Sequence, residues 1–118
     1  MDKVPVLVTG GAGYIGSHAV LALRDAGWPV TVIDDLSSGT TDVVPDGVPF
    51  IEGSIADRAL VDRTLKDQSI GAIMHFAGSI VVPESVERPL DYYLNNTIAS
   101  HTLISAAVAA GVTPILFS

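Results

Sequence analysis

The chain has 118 residues, 48% of them hydrophobic and only 16% charged, with six Lys plus Arg against thirteen Asp plus Glu for a formal charge of −7. That apolar content at this length implies one folded domain, not a disordered segment, and an acidic chain without a Lys/Arg cluster argues against nucleic-acid binding. The absence of cysteine excludes a disulfide framework, thiol catalysis and a Cys-ligated zinc.

In chain order, Val4 to Thr9 is a near-continuous apolar run ending in glycines, the pattern of a strand buried on both faces. Ile15, Ala19, Ala22, Leu23 and Ala26 then recur at helical spacing, with Gly27 as the stop signal. Val30 to Ile33 is a second β-branched run, closed by Asp34-Asp35. The polar stretch that follows (Ser37, Ser38, Gly39, Asp42, Asp46, Gly47) reads as loop or weak helix. Val48 to Ile51 is a third strand, and Asp57 is placed to cap a helix carrying Leu60, Val61 and Leu65. Ala72 to Phe76 is a fourth strand. From Pro89 to Ala110 a long helix sets Leu90, Leu94, Ile98, Ile104 and Val108 on one stripe; Gly111 caps it, and Ile115 to Phe117 is strand five.

Short buried strands alternating with helices predict an α/β fold. The expected form is a doubly wound parallel sheet of Rossmann type, strand order 3-2-1-4-5, with right-handed crossovers and helices on both faces. In such sheets ligands bind beyond the carboxyl ends of the strands, where the strand order reverses. The motifs of this chain fall at those strand ends.

Thr9-Gly10-Gly11-Ala12-Gly13-Tyr14-Ile15-Gly16 joins strand one to helix one. Gly11, Gly13 and Gly16 match G-x-G-x-x-G, and Gly10, Gly13 and Gly16 match G-x-x-G-x-x-G. One glycine permits the tight turn, another lets backbone approach a diphosphate, and Gly16 allows close helix–strand packing. The N–H groups opening the helix, with their partial positive charge, favour an anion there. Asp34 ends strand two, 24 positions beyond Gly10, where a carboxylate accepts from ribose hydroxyls and repels a 2′-phosphate. No Arg follows in that loop, so NAD(H) is expected over NADP(H). No Gly-Lys-Ser/Thr follows the turn, which excludes a P-loop.

With these residues in view, the segment from Thr9 to His18 resembles the opening of the extended short-chain dehydrogenase/reductase superfamily, and most of all its nucleotide-sugar 4-epimerases. His75-Phe76-Ala77-Gly78 is similar to the signature after strand four. Pro83-Glu84-Ser85-Val86 and Pro89-Leu90-Asp91-Tyr92-Tyr93-Leu94-Asn95-Asn96-Thr97 resemble the helix that follows. The resemblance implies an isomerase: tightly held NAD takes hydride from C4 of a UDP-hexose and returns it to the opposite face, interconverting UDP-glucose and UDP-galactose. Carried over residue by residue, Tyr14 and Ile15 meet the pyrophosphate through backbone N–H. Asp34, Asp35, Leu36, Ser37, Ser38 and Gly39 surround the adenosine ribose. Ser54 and Ile55 border the adenine, while Phe76, Ala77, Gly78, Ser79 and Ile80 line the path beneath the diphosphate and nicotinamide ribose. Asn95 reaches toward the cofactor from the long helix.

Two departures stand out. Ser54 replaces the family's usual Asp, a weaker acceptor for the adenine amino group, and Ile80 replaces a common Lys. The family's catalytic Tyr-x-x-x-Lys has no match, since none of Tyr14, Tyr92 and Tyr93 has Lys four positions on. Ser118 matches only the serine that precedes the catalytic one. The expectation is an N-terminal piece, residues 1–118, of a longer protein whose substrate domain is absent. A related dehydratase or a non-catalytic NAD(H)-binding module are the alternatives.

The remaining polar residues have simpler readings. His75 could be a general base, but a packed or hydrogen-bonded strand-end histidine suffices. His101 reads as core or interface, and His18 as helix packing near the glycine turn. Adjacent Asp34 and Asp35 point apart on a strand end, which disfavours a metal. Asp2, Lys3 and Pro5 do not open a signal peptide, and no apolar run reaches the roughly 18 residues of a membrane span. A soluble, cytoplasmic protein is expected, and the resemblance implies a homodimer through the long helix.

Overall fold

The structure, a computed structural model, describes residues 3–36, 41–76 and 89–117, with side chains described throughout except at 89–96 and 117. Five strands alternate with three helices: β1 (Val6–Thr9), α1 (Tyr14–Asp25), β2 (Val30–Asp34), β3 (Phe50–Glu52), α2 (Arg58–Asp67), β4 (Ala72–His75), α3 (Pro89–Ala110) and β5 (Ile115–Phe117). A 3-10 turn at Thr41–Val43 lies between β2 and β3. All pairings are parallel and the order is β3-β2-β1-β4-β5, the doubly wound arrangement expected. The order reverses between β1 and β4, so a crevice opens at their carboxyl ends.

Prolines set two strand starts later than the apolar runs suggest. Pro5 has no N–H to donate; its carbonyl instead accepts from Gly71 and Ala72, and β1 begins at Val6. Pro49 likewise contributes only its carbonyl, which accepts from the Val32 N–H at 2.9 Å, and β3 begins at Phe50.

All three helices close with the same pair of bonds. Trp28 N–H reaches Leu23 O and Gly27 N–H reaches Arg24 O after α1. Ile70 and Ser69 repeat the pattern after α2, and Val112 and Gly111 after α3. This closure needs a left-handed residue. Gly27 (φ 86°) and Gly111 (φ 72°) supply it without strain, whereas Ser69 takes it as a non-glycine (φ 52°). The Lys3 ammonium donates to the Ala26 carbonyl at the end of α1. At the other kind of terminus, Asp57 caps α2 by accepting from the Leu60 N–H at 3.2 Å.

Alternating strand residues divide the core into two layers. Leu7, Ile33 and Ile73 pack with Val61 and Leu65 of α2 and with Leu103, Ala106 and Ala107 of α3. Val6, Val8, Val30 and Val32 pack on the opposite face with Val20 of α1. The face of α3 corrects the sequence reading. Its buried face is Leu103, Ala106 and Ala107, while Ile98, Ile104 and Val108, placed on one apolar stripe by periodicity, are exposed. Small alanines let α3 lie close against its neighbours, and the bulkier aliphatic residues are left outside. His101, expected in core or interface, is exposed on this chain.

Replacing Ser69 by Gly removes the left-handed strain and should raise stability by about 0.5–1 kcal/mol in urea unfolding. A loss of stability would show that the serine hydroxyl matters more than the backbone.

Candidate functional site

The turn after β1 is fixed by short-range sterics. Gly10 adopts φ 72°, donating its N–H to Ile33 O at 2.9 Å and accepting from the Gly13 N–H at 3.1 Å. A methyl on Gly16 would overlap the Gly10 carbonyl, so only glycine lets α1 start this close to the turn. At Gly11 an added Cβ would sit 2.6 Å from a Val32 methyl; this third close approach is absent from the G-x-x-G-x-x-G reading and is set by β2, not by the turn. At Gly13 the nearest atom is the Gly10 carbonyl at 3.4 Å, so this position leaves more room beside the backbone.

Gly13 is the N-cap of α1, with no side-chain cap bond and no acid in the first turn. The N–H groups of Tyr14, Ile15 and Gly16 have no intrahelical acceptor by geometry and concentrate positive potential at the crevice. Tyr14 is 82% and Ile15 58% exposed, so these residues face the crevice through backbone only. His18 is exposed too, its ring meeting the Tyr14 ring edge-on at 4.9 Å; it packs on its own helix and not into the protein as expected.

Asp34 joins this turn to the end of β2. Its Oδ2 accepts from the Ala12 N–H at 3.0 Å and its Oδ1 from the Leu36 N–H at 2.7 Å. A carboxylate offers about four lone-pair directions, so each oxygen keeps capacity for a further donor in the crevice. Leu36 takes φ 62°, a strained value for a branched side chain, held by the bond to Asp34. The Asp34 carbonyl accepts from Gly53 N–H at 3.0 Å, which sets Ser54 near the same strand ends. The Ser54 hydroxyl accepts from the Ala56 N–H at 3.0 Å, and Ile55 is buried in the core cluster. Asp35 is exposed.

On the other side of the switch point, Phe76 donates its N–H to both Thr9 O (2.9 Å) and Thr9 Oγ1 (3.1 Å). Thr9 and His75 are cross-strand partners, with Thr9 Oγ1 and His75 Nδ1 2.6 Å apart. His75 is therefore the packed, hydrogen-bonded strand-end residue expected, and burial holds its pKa below the usual histidine value. The expected contributions of Ser37, Ser38, Gly39, Ala77, Gly78, Ser79 and Ile80 lie outside the described residues. Asn95 is placed on α3 by its backbone, with its side chain outside the description. Sequence reasoning missed the Ala12 N–H and the Thr9–His75 pair; no local pattern encodes either, since both depend on register between strands.

Among the described residues no cluster of His, Asp and Glu is arranged for a metal ion, and no helix is long and apolar enough to cross a membrane.

This arrangement of a glycine turn, an unoccluded helix start and an acid closing β2 defines a dinucleotide-type crevice. The sequence matches the NAD dependent epimerase/dehydratase family over residues 6–118, and the chain belongs to that family. Among its relatives is UDP-glucose 4-epimerase of Azospirillum brasilense, 58% identical over 113 residues, which span 96% of this chain and 32% of that protein. UDP-glucose 4-epimerase of Thermotoga maritima, solved with UDP-glucose, superposes with a TM-score of 0.90 at 35% identity, covering 96% of this chain and 37% of that one. The Stenotrophomonas maltophila enzyme, solved with NAD and formylated UDP-arabinopyranose, gives 0.91 at 36% identity over 98% and 36%. The chain thus spans about a third of the length of these relatives.

The lowered pKa of His75 fixes a direction for stability. The unfolded state binds the proton more readily, so stability should fall as pH drops below about 6.5 and level off below the folded pKa. His75→Phe should remove that component of a urea-unfolding pH series. A profile identical in the wild type and the variant would contradict the assignment.

Proposed function

We propose that the chain is the dinucleotide-binding part of an NAD-dependent UDP-glucose 4-epimerase, interconverting UDP-glucose and UDP-galactose by inversion at C4. The observation that carries this reading is the Asp34 carboxylate, tied to the glycine turn and the β2 end with acceptor capacity remaining. The names and bound ligands of the relatives support the same substrate and cofactor.

The residues fit NAD. Gly16 and Gly10 form a cradle that a single Cβ would close, the open side of Gly13 admits a diphosphate, and the N–H groups of Tyr14 and Ile15 are its donors. Asp34 accepts from the adenosine ribose hydroxyls and excludes a 2′-phosphate by charge. Leu36 holds the ribose side of the crevice, and Ser54 with Ile55 bounds the adenine side. When bound, the nicotinamide takes and returns the hydride at C4, so no net oxidation results. Positioning falls to residues of this chain; the proton-handling Tyr and Lys of the family have no counterpart in its sequence. In the whole protein residues 1–118 are the NAD-binding unit, the UDP-sugar is bound largely by residues outside it, and the enzyme works in the cytoplasm as a homodimer. The exposed Ile98 and Val108 of α3 are the apolar surface that supports the dimer. Light scattering should report paired chains, and a monomer at all concentrations would contradict it.

Titration calorimetry of the 118-residue chain should show NAD⁺ binding more tightly than NADP⁺, with no conversion of UDP-galactose. Asp34→Ala should weaken NAD⁺ by about 1–3 kcal/mol, the scale of bonds to a charged acceptor. Preference for NADP⁺, or an unchanged affinity in the variant, would refute the reading.

A further inference from the structure

Thr9 and His75 end the two strands between which the sheet order reverses, so their side chains lie under the floor of the crevice on the face covered by α3. Both are buried, Thr9 fully and His75 to within 6%. Their 2.6 Å separation is shorter than a ring N–H donating to oxygen usually allows and falls within the range of hydroxyl donors. The Thr9 hydroxyl therefore donates to Nδ1, which leaves the imidazole proton on Nε2. That nitrogen faces the Ser100 hydroxyl of α3 at a longer 3.4 Å. The same Thr9 oxygen accepts the Phe76 N–H, where the chain leaves β4. Thr9 in turn leads directly into the glycine turn through Gly10.

We propose that His75 is a positioning residue for the dinucleotide: by orienting the Thr9 hydroxyl, it locks the exit of β4 at Phe76 against the start of the glycine turn and keeps the two walls of the crevice at the spacing a bound dinucleotide needs. This rests on the proposed function. Burial alone would be satisfied by any apolar side chain of similar size, as at Leu7 and Ile73 beneath them on the same strands. An imidazole adds a defined acceptor whose partner is itself bonded to the crevice backbone, so its effect reaches the ligand without touching it.

The test combines NAD⁺ calorimetry with nitrogen-15 NMR of the ring in the full 118-residue chain. The wild type should show the Nε2–H tautomer. His75→Phe, which keeps bulk and removes the acceptor, should weaken NAD⁺ about tenfold, and His75→Asn, whose amide oxygen replaces Nδ1 as acceptor, should recover most of that loss. Thr9→Val should weaken NAD⁺ to the same degree, Thr9→Ser should not, and Thr9→Val combined with His75→Phe should be no worse than either alone. Should His75→Phe fail to fold, the Thr9 pair and the tautomer decide. Wild-type affinity in the Phe or Val variants, additive losses, or an Nδ1–H tautomer would overturn the inference while leaving the NAD reading intact. Absence of NAD⁺ binding in the wild type would instead overturn both.

Discussion

One carboxylate ties the crevice together. Asp34 stands at the end of β2 and accepts an N–H from the turn after β1 on one oxygen and an N–H from its own following loop on the other. Without these bonds the Ala12 amide and the left-handed Leu36 would each lack a local restraint, and the turn and the loop could move apart. With them, a negative charge is held beside the positive end of α1 at a fixed separation. The electrostatic pattern is therefore bipolar: donors for an anion at the helix start, an acceptor for hydroxyls a few ångströms on. Few small molecules present a diphosphate and a vicinal diol at that spacing. A dinucleotide does.

Everything else in the fold serves to bring those two features together. Parallel pairing places the carboxyl ends of β1, β2 and β4 on one edge of the sheet. The apolar layers on both faces leave that edge as the place where polar residues gather. Glycine is required where α1 meets the turn, because a methyl at Gly16 has no space beside the Gly10 carbonyl. The Thr9–His75 pair underlies the same edge from the α3 side, so the crevice is braced at β2 by a charge and at β4 by a neutral ring.

Much of this was legible from local pattern. The buried strands, the glycine turn, Asp34 and the Asp57 cap each follow from residue types at fixed offsets, and all four hold. What failed or was missed depends on contacts distant in sequence. Periodicity put Ile98, Ile104 and Val108 on one stripe of α3, but cannot say which face of a helix meets the sheet when alanines line the other. His18 was read as packing inward, yet its neighbour Tyr14 supplies the contact outside. The bonds from Ala12 to Asp34 and from Thr9 to His75 arise from strand register, which no stretch of ten residues contains. The prolines at 5 and 49 were visible, and their missing N–H groups account for the late starts of β1 and β3.

The most direct test is a crystal structure of the chain grown with NAD⁺. The account places the pyrophosphate against the N–H groups of Tyr14 and Ile15, with the adenosine ribose hydroxyls on the Asp34 carboxylate and the Ala12 and Leu36 bonds retained. Dinucleotide bound away from the β1–β4 switch point, or an Asp34 carboxylate turned from the ribose, would contradict it.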